Sequence, residues 1–374
     1  MNFDSCHYVP CLRWKKGEYQ AVRELSGRAR STITPLIEVA EPGYDFEKEK
    51  AAKSLDEHLA PFAKRVDEYW KGRPCFVDFN WIDPKERLAG GRHPVEFVFG
   101  ELKARGCVAV PVTGLKRDRA YRRAVEDVIS RDKRGLCLRL ELGEVGTGDL
   151  KGPIDALLSR AIRPNVCDLI LDLGAPNFDP VNGFAKLVES VIRRLPYLQD
   201  WRTFTLMGTS FPATMAGIKT SPTRVPRSEW LLYRVVAGNL SEMKLRVPSF
   251  GDYCINYPRA LPMDMRLLKP SASIRYTTEE DWFIVKGPNV RENQFGQYQS
   301  HCRTVMNCCD YFGPGFSSGD RYISECAKGV VSTGNLTTWR QVGTNHHLEV
   351  VAHGIANFFG ASSNSSPSGV VPTE

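Results

Sequence analysis

The sequence predicts a (β/α)8 barrel carrying a C-terminal α+β appendage, on three observations. Eight short apolar runs are each followed by a helix-length charged stretch or a longer irregular one, and eight parallel strands with crossovers is the strand count of such a barrel. Within the runs, alternate residues divide into an aliphatic face and a face that turns polar toward the C-terminal end. Four runs carry a carboxylate near that end, reading Leu-Ile-Glu-Val, Val-Asp-Phe-Asn, Arg-Leu-Glu-Leu and Leu-Asp-Leu-Gly. A doubly wound sheet, covered on both sides, has less reason to put Glu38, Asp78, Arg139, Glu141 and Asp172 on the same kind of face.

The first run is Tyr8–Trp14, and Gly17–Leu25 after it has helical spacing. Ile33–Val39 sets Ile33, Pro35, Ile37 and Val39 against Thr34, Leu36 and Glu38, and Asp45–Trp70 follows as helix. Cys75–Asn80 precedes the helical Pro94–Arg105, and Cys107–Thr113, with Val108, Val110 and Val112 on one face, precedes Arg119–Ser130. Leu136–Leu142 divides into four leucines against Cys137, Arg139 and Glu141, with Pro153–Ala161 behind it. Cys167–Leu173 sets Leu169, Leu171 and Leu173 against Ile170 and Asp172, and the following Phe184–Leu195 is the clearest amphipathic helix. Thr203–Thr209 is the seventh run, Phe211–Arg227 reads as a Pro/Thr/Ser-rich rim loop, and Gly251–Tyr257 is the eighth run. The aliphatic faces are expected against the helices and the mixed faces toward the axis.

The barrel is expected over residues 1–260, the appendage packed on it over 261–360, and a flexible Ser/Pro/Gly-rich tail over 361–374. In the appendage, Ser273–Tyr276 and Trp282–Lys286 read as a hairpin, with helices at Gly296–Cys309, Gly319–Lys328 and Asn345–Phe359. Asn345 is the expected N-cap of the last helix, which places His346 and His347 in its first turn, where backbone N–H groups favour anions.

Bulk properties narrow the class. A chain of 374 residues, 42% hydrophobic and 25% charged, has ample material for a core. Met1–Pro10 lacks an apolar signal region, and no run approaches the ~18–20 apolar residues of a membrane span, so a cytoplasmic protein without a membrane segment is expected. Eleven cysteines is an odd number, and Cys11, Cys75, Cys107, Cys137, Cys167 and Cys254 lie in strand-like runs, where a free thiol acts as a small hydrophobe. The net charge of +7 favours an anionic small molecule or nucleic acid as partner, although the basic residues are spread over helix faces.

Glu38, Asp78, Glu141 and Asp172 are the candidate catalytic residues. Two rim carboxylates can divide general-acid and general-base duty, and three or four can hold Mg2+ or Mn2+. The opposing reading makes Arg139 and Glu141, consecutive on the inward face, neutralise buried neighbours. Asn80, Thr113, Thr209 and Asp252 would complete the shell. Arg13 and Lys15, at the end of the first strand, would pair with a rim carboxylate or bind a phosphate oxygen, Arg139, Lys15 and Arg340 would offset developing negative charge, and Asn345 and His346 are further candidate contacts. Gly-x4-Gly-Lys-Ser/Thr, Gly-x-Gly-x2-Gly, Gly-x-Ser-x-Gly and His-Glu-x2-His are all missing, so ATPase, dinucleotide and α/β-hydrolase readings lose support. A metal-assisted hydrolase or phosphodiesterase stands first, and a non-enzymatic binding or sensing protein using the barrel as scaffold stands second.

Tyr-Val-Pro-Cys-Leu-Arg-Trp-Lys-Lys-Gly-Glu, Ile-Thr-Pro-Leu-Ile-Glu-Val, Phe-Gly-Asp-Tyr, Ile-Arg-Tyr-Thr, Phe-Ser-Ser-Gly-Asp and Trp-Arg-Gln-Val-Gly-Thr-Asn-His-His-Leu occur in this order. Together they resemble the beta protein family of bacteria and phages, from Tyr8 to about His353. The resemblance implies a role in phage defence or another conflict system, with a protein partner from such a system. It carries over no catalytic residue.

Overall fold

The computed structural model describes residues 2–45, 48–145, 148–158, 162–218, 221–259 and 269–363. Eight parallel strands close a barrel: β1 (Tyr8–Leu12), β2 (Leu36–Glu38), β3 (Pro74–Asp78), β4 (Val108–Thr113), β5 (Cys137–Glu141), β6 (Asp168–Asp172), β7 (Thr203–Met207) and β8 (Ser249–Asp252). Around the ring the order is β1-β8-β7-β6-β5-β4-β3-β2, with every neighbouring pair parallel. The fold is the expected (β/α)8 barrel.

Side-chain alternation builds two cores. Val9, Cys11, Leu36, Phe76, Val110, Val112, Cys137, Ile170 and Met207 fill the axis. Leu138, Leu140, Leu169, Leu171, Phe204 and Leu206 face the helical layer. That layer comprises α1 (Lys16–Arg23), α2 (Phe62–Trp70), α3 (Pro94–Ala104), α4 (Arg119–Asp132), α5 (Lys151–Leu157), α6 (Val181–Arg194) and α7 (Ser228–Glu242). The expected outward valine face of Cys107–Thr113 is reversed, because Val110 and Val112 line the axis and Ala109 packs outward. An all-apolar strand has no polar side chain to mark its inner face.

The appendage contains β9 (Ser271–Thr277), β10 (Asp281–Asn289), α8 (Gln297–Met306) and α9 (Ser318–Ala327). Its sheet gains an edge from Thr223–Pro226, which pairs antiparallel with β10, so the expected rim loop supplies a strand. One sheet face joins the α8/α9 core through Ile274, Tyr276, Phe283 and Val285; the other sets Trp282 and Ile284 against Phe211 and Ile255.

The final helix, α10 (Leu336–Ser363), is the eighth helix of the barrel. Leu348, Val351, Ala352 and Ile355 enter the core beneath the helical layer, and Gly17 brings α1 so close that a Cβ there would lie 2.8 Å from Arg340 Cβ. A division at 260 therefore separates the barrel from its own last helix: the appendage is inserted between β8 and α10. Asn345 is no N-cap, since the helix starts at Leu336 and His346 and His347 lie in its buried middle. Residue 260 and the tail from 364 lie outside the described residues. Among the described residues, no helix is long and apolar enough to cross a membrane.

Candidate binding site at the mouth of the barrel

Glu38, Asp78, Glu141 and Asp172 are each the last residue of their strands, with Glu38 beside Asp78 and Glu141 beside Asp172 in register. Three of them are buried and Glu141 is exposed. Arg139, one inward position below Glu141, lies in the centre of the buried three. Its Nη1 donates to Glu38 Oε1 and Asp78 Oδ2, both at 2.8 Å, and its Nε to Asp172 Oδ2 at 2.9 Å. Nη2 donates to the Tyr253 hydroxyl at 2.7 Å and lies 2.8 Å from Asp172 Oδ2. These hydrogen bonds take up four of the five N–H groups of a guanidinium, and the fifth, on Nη2, lies beside Asp172 Oδ2.

The carboxylates are equally committed. Trp81 Nε1 donates to Glu38 Oε2 at 2.7 Å, Arg117 Nη2 to Asp78 Oδ1 at 2.6 Å, and the Gly174 amide to Asp172 Oδ1 at 2.8 Å. Tyr253 donates to Asp172 Oδ2 at 2.5 Å. Burial opposes the charge on Arg139, but Tyr253, Asp172, Glu38 and Asp78 outweigh it and hold the guanidinium pKa well above its ordinary value. Burial pushes the Tyr253 phenol well above its usual range, with Arg139 pulling the other way.

Above this network opens a cavity of about 440 Å3, whose walls include Asn80, Trp81, Glu141, Tyr253, Tyr257 and Arg259. A smaller cavity of about 270 Å3 shares Asn80, Arg139 and Glu141 and extends toward Lys116 and Arg117. Glu141 therefore stands between the two. Its side chain has no hydrogen bond or ion pair within the described residues; its backbone amide donates to Glu144 at 2.8 Å.

Mg2+ or Mn2+ does not fit Glu38, Asp78 and Asp172 in this arrangement. A divalent ion needs carboxylate oxygens turned toward it. All six are turned to N–H or O–H donors, and Arg139 takes the central cationic place. Among the described residues, the groups of three side chains close enough to share an ion are Asp252–Cys254–His347 and Cys308–Cys309–Asp310, and neither contains a rim carboxylate.

Several expected contacts lie elsewhere. Asp252 points away from the axis, accepting from Tyr8 Oη at 2.5 Å and pairing with His347 Nε2 at 2.8 Å. The Thr277 hydroxyl meets His347 Nδ1 at 2.9 Å, and all three groups are fully buried. Burial lowers the His347 pKa; burial would raise that of Asp252, but His347 and Tyr8 outweigh it and hold it low. This Asp–His–Thr chain has the composition of a catalytic triad, yet it is sealed and ties β8, α10 and β9 together. His346 bonds Asp320 at 2.8 Å and the Thr277 carbonyl at 2.7 Å, while Asn345 bonds the Gly319 amide and the Ala21 carbonyl. Arg340 holds the Ile255 carbonyl and Asn256, and Lys15 is an exposed N-cap of α1. Arg13 lies at the margin, its guanidinium 4.3 Å from the Trp81 ring and bonded to the carbonyls of Tyr257 and Pro258.

Trp81, Arg117 and Tyr253 are the site residues that sequence reasoning missed. A signal existed for two of them: Trp81 follows Val-Asp-Phe-Asn directly, and Tyr253 shares the inward parity of Gly251.

A family model described as Beta protein matches residues 8–353. The chain belongs to the Beta protein family. No curated protein matches it. Among solved structures it is similar to a glycoside hydrolase family 5 enzyme of Prevotella bryantii, crystallised with a xyloglucan tetradecasaccharide. That likeness has 8% identity and a TM-score of 0.35, over 64% of this chain and 78% of the other.

Proposed function

We propose that the barrel mouth binds a polar, uncharged organic molecule of sugar or nucleoside size, with Glu141 as its proton-accepting group. One observation carries the reading: Arg139, Arg117, Trp81, Tyr253 and the Gly174 amide occupy the three buried carboxylates, leaving Glu141 as the rim carboxylate at the cavity without a hydrogen bond or ion pair among the described residues. A volume of about 440 Å3 lies in the range of small-molecule pockets. Aromatic walls at Trp81, Tyr253 and Tyr257 suit the apolar faces of a ring, and Asn80 offers both a donor and an acceptor. Beneath the cavity three carboxylates face two guanidiniums, which disfavours an anion in its depth. The hydrolase expectation accordingly takes a metal-free form, with Glu141 drawing a proton from water or a ligand hydroxyl. The conflict-related role and its protein partner rest on the family resemblance and are compatible with binding or turnover.

The test is a calorimetric panel of nucleosides, methyl glycosides, their phosphorylated counterparts and Mn2+. Neutral ligands should bind, and Glu141→Gln should weaken them about tenfold or more, as expected for a lost charged hydrogen bond, without lowering the melting temperature. Saturable one-to-one Mn2+ binding abolished by Asp172→Asn, or binding of phosphorylated ligands alone, would overturn the reading.

A further inference from the structure

A further cavity, of about 290 Å3, lies on the flank of the barrel between α7, α10 and the turn at Thr278–Glu280. It shares no lining residue with the cavities at the mouth. Trp230, Phe312, Val350, Val351, Gly354 and Phe358 make its apolar walls, and Arg227 completes them.

Arg227 is only 2% exposed and is not satisfied. Nη1 donates to the carbonyls of Thr278 at 3.1 Å and Glu279 at 3.2 Å. Nε and Nη2 have no hydrogen-bond acceptor among the described residues. The nearest carboxylate, Glu229, has Oε1 at 3.7 Å from Nε, beyond hydrogen-bond reach, and that oxygen is also unpartnered. Both atoms are closed to a water-sized neighbour, so an acceptor in the cavity reaches them once the guanidinium turns toward it, and the cost of buried donors left unmade favours that turn. Toward the outside, Arg234 pairs with Glu280 at 2.8 Å, and His353 and Asn357 form the polar rim.

We infer that this flank cavity is a second ligand site, independent of the barrel mouth, for an organic anion with an aromatic or branched apolar body. Its carboxylate or sulfonate oxygens accept from the unmet N–H groups of Arg227, for which a planar guanidinium is the matching donor. Its body lies against Trp230, Phe312 and Val351. An anion without an apolar body leaves the walls unfilled, and an apolar body without the anion leaves Arg227 as it is.

Two dyes with the same body separate these contributions: anilinonaphthalene sulfonate, and the uncharged N-phenylnaphthylamine. Titrated into the full chain by fluorescence, the sulfonate should saturate at one equivalent. Arg227→Gln should weaken the sulfonate about tenfold or more and leave the uncharged dye within about twofold of wild type. Gly354→Leu fills the cavity from α10, where a Cβ meets only Trp230 at 3.7 Å, and should remove both dyes. If Arg227→Gln fails to fold, Arg227→Lys keeps the charge, loses the fork and should still weaken the sulfonate alone. Binding that does not saturate, equal loss of both dyes on changing Arg227, or unchanged binding in Gly354→Leu would overturn the inference.

Discussion

Replacing Arg139 by methionine tests whether the guanidinium is the element that makes three buried carboxylates tolerable. Methionine retains the length of the side chain and fits an apolar axis, so the change isolates charge and hydrogen bonding. In the native network Glu38, Asp78 and Asp172 are opposed by Arg139 and Arg117; after the change only Arg117 remains, and it reaches Asp78 alone. Removing one partner of a buried ion pair costs about 3–5 kcal/mol. Unfolding entropy of about 2.1 cal/mol/K per residue over 374 residues converts this to a fall in melting temperature of about 4–6 °C. The loss should depend on pH in a definite direction. Without Arg139 the buried carboxylates lack the cation that offsets their charge, and loss of that partner matters less where carboxyl groups are uncharged, so the deficit grows as pH increases. Urea unfolding at about pH 5.5 and pH 8 reads this directly: the deficit should be larger at the higher pH. A deficit below about 1 kcal/mol, or one of equal size at both pH values, would show that water or rearranged side chains replace the guanidinium and would refute the closed network.

Two further outcomes follow from other parts of the molecule. Burial pushes the Glu229 carboxyl from 4.5 up to about 7, despite Arg227, so the folded state is protonated over a range in which the unfolded chain is ionised. Stability should therefore decline as pH rises across that window, by roughly 3 kcal/mol in all, and Glu229→Gln should flatten this part of the urea-midpoint profile. At the crossing of α9 and α10, a Cβ on Gly319 would lie 2.5 Å from the Val342 carbonyl oxygen, so Gly319→Ala should cost about 1–3 kcal/mol by thermal unfolding. Gly27→Ala, with nothing within 4 Å, should cost nothing.

The barrel was legible because parallel strands announce themselves through period-two alternation and a polar terminal residue, as in Leu138, Arg139, Leu140 and Glu141. The convergence of Glu38, Asp78, Arg139 and Asp172 followed from their shared parity. Asp252 was misplaced for the same reason in reverse. In β8 the inward position is Gly251, with Tyr253 keeping that parity just past the strand, and a one-residue change of parity exchanges the faces of a strand. The start of α10 was misjudged because Asn345 looks like a cap, whereas its amide and carbonyl oxygen bridge Ala21 and Gly319, residues remote in sequence. Local signals do not report such tertiary partners. That Arg139 would saturate its acids was visible as one of two readings, and deciding between them required distances.

The position of α10 has a consequence for how the chain assembles. The seam where β1 meets β8 is covered by a helix made only after the whole appendage, so a nascent chain presents eight complete strands while Tyr8, Asp252 and Thr277 still await His347. Domains generally fold as units during synthesis, and contacts between distant parts of a chain form late. The first turns of α10, through Trp339 and Val342, complete the α8/α9 core of the inserted appendage, and its later turns, through Leu348, Val351 and Ile355, complete the barrel, so one helix closes both cores.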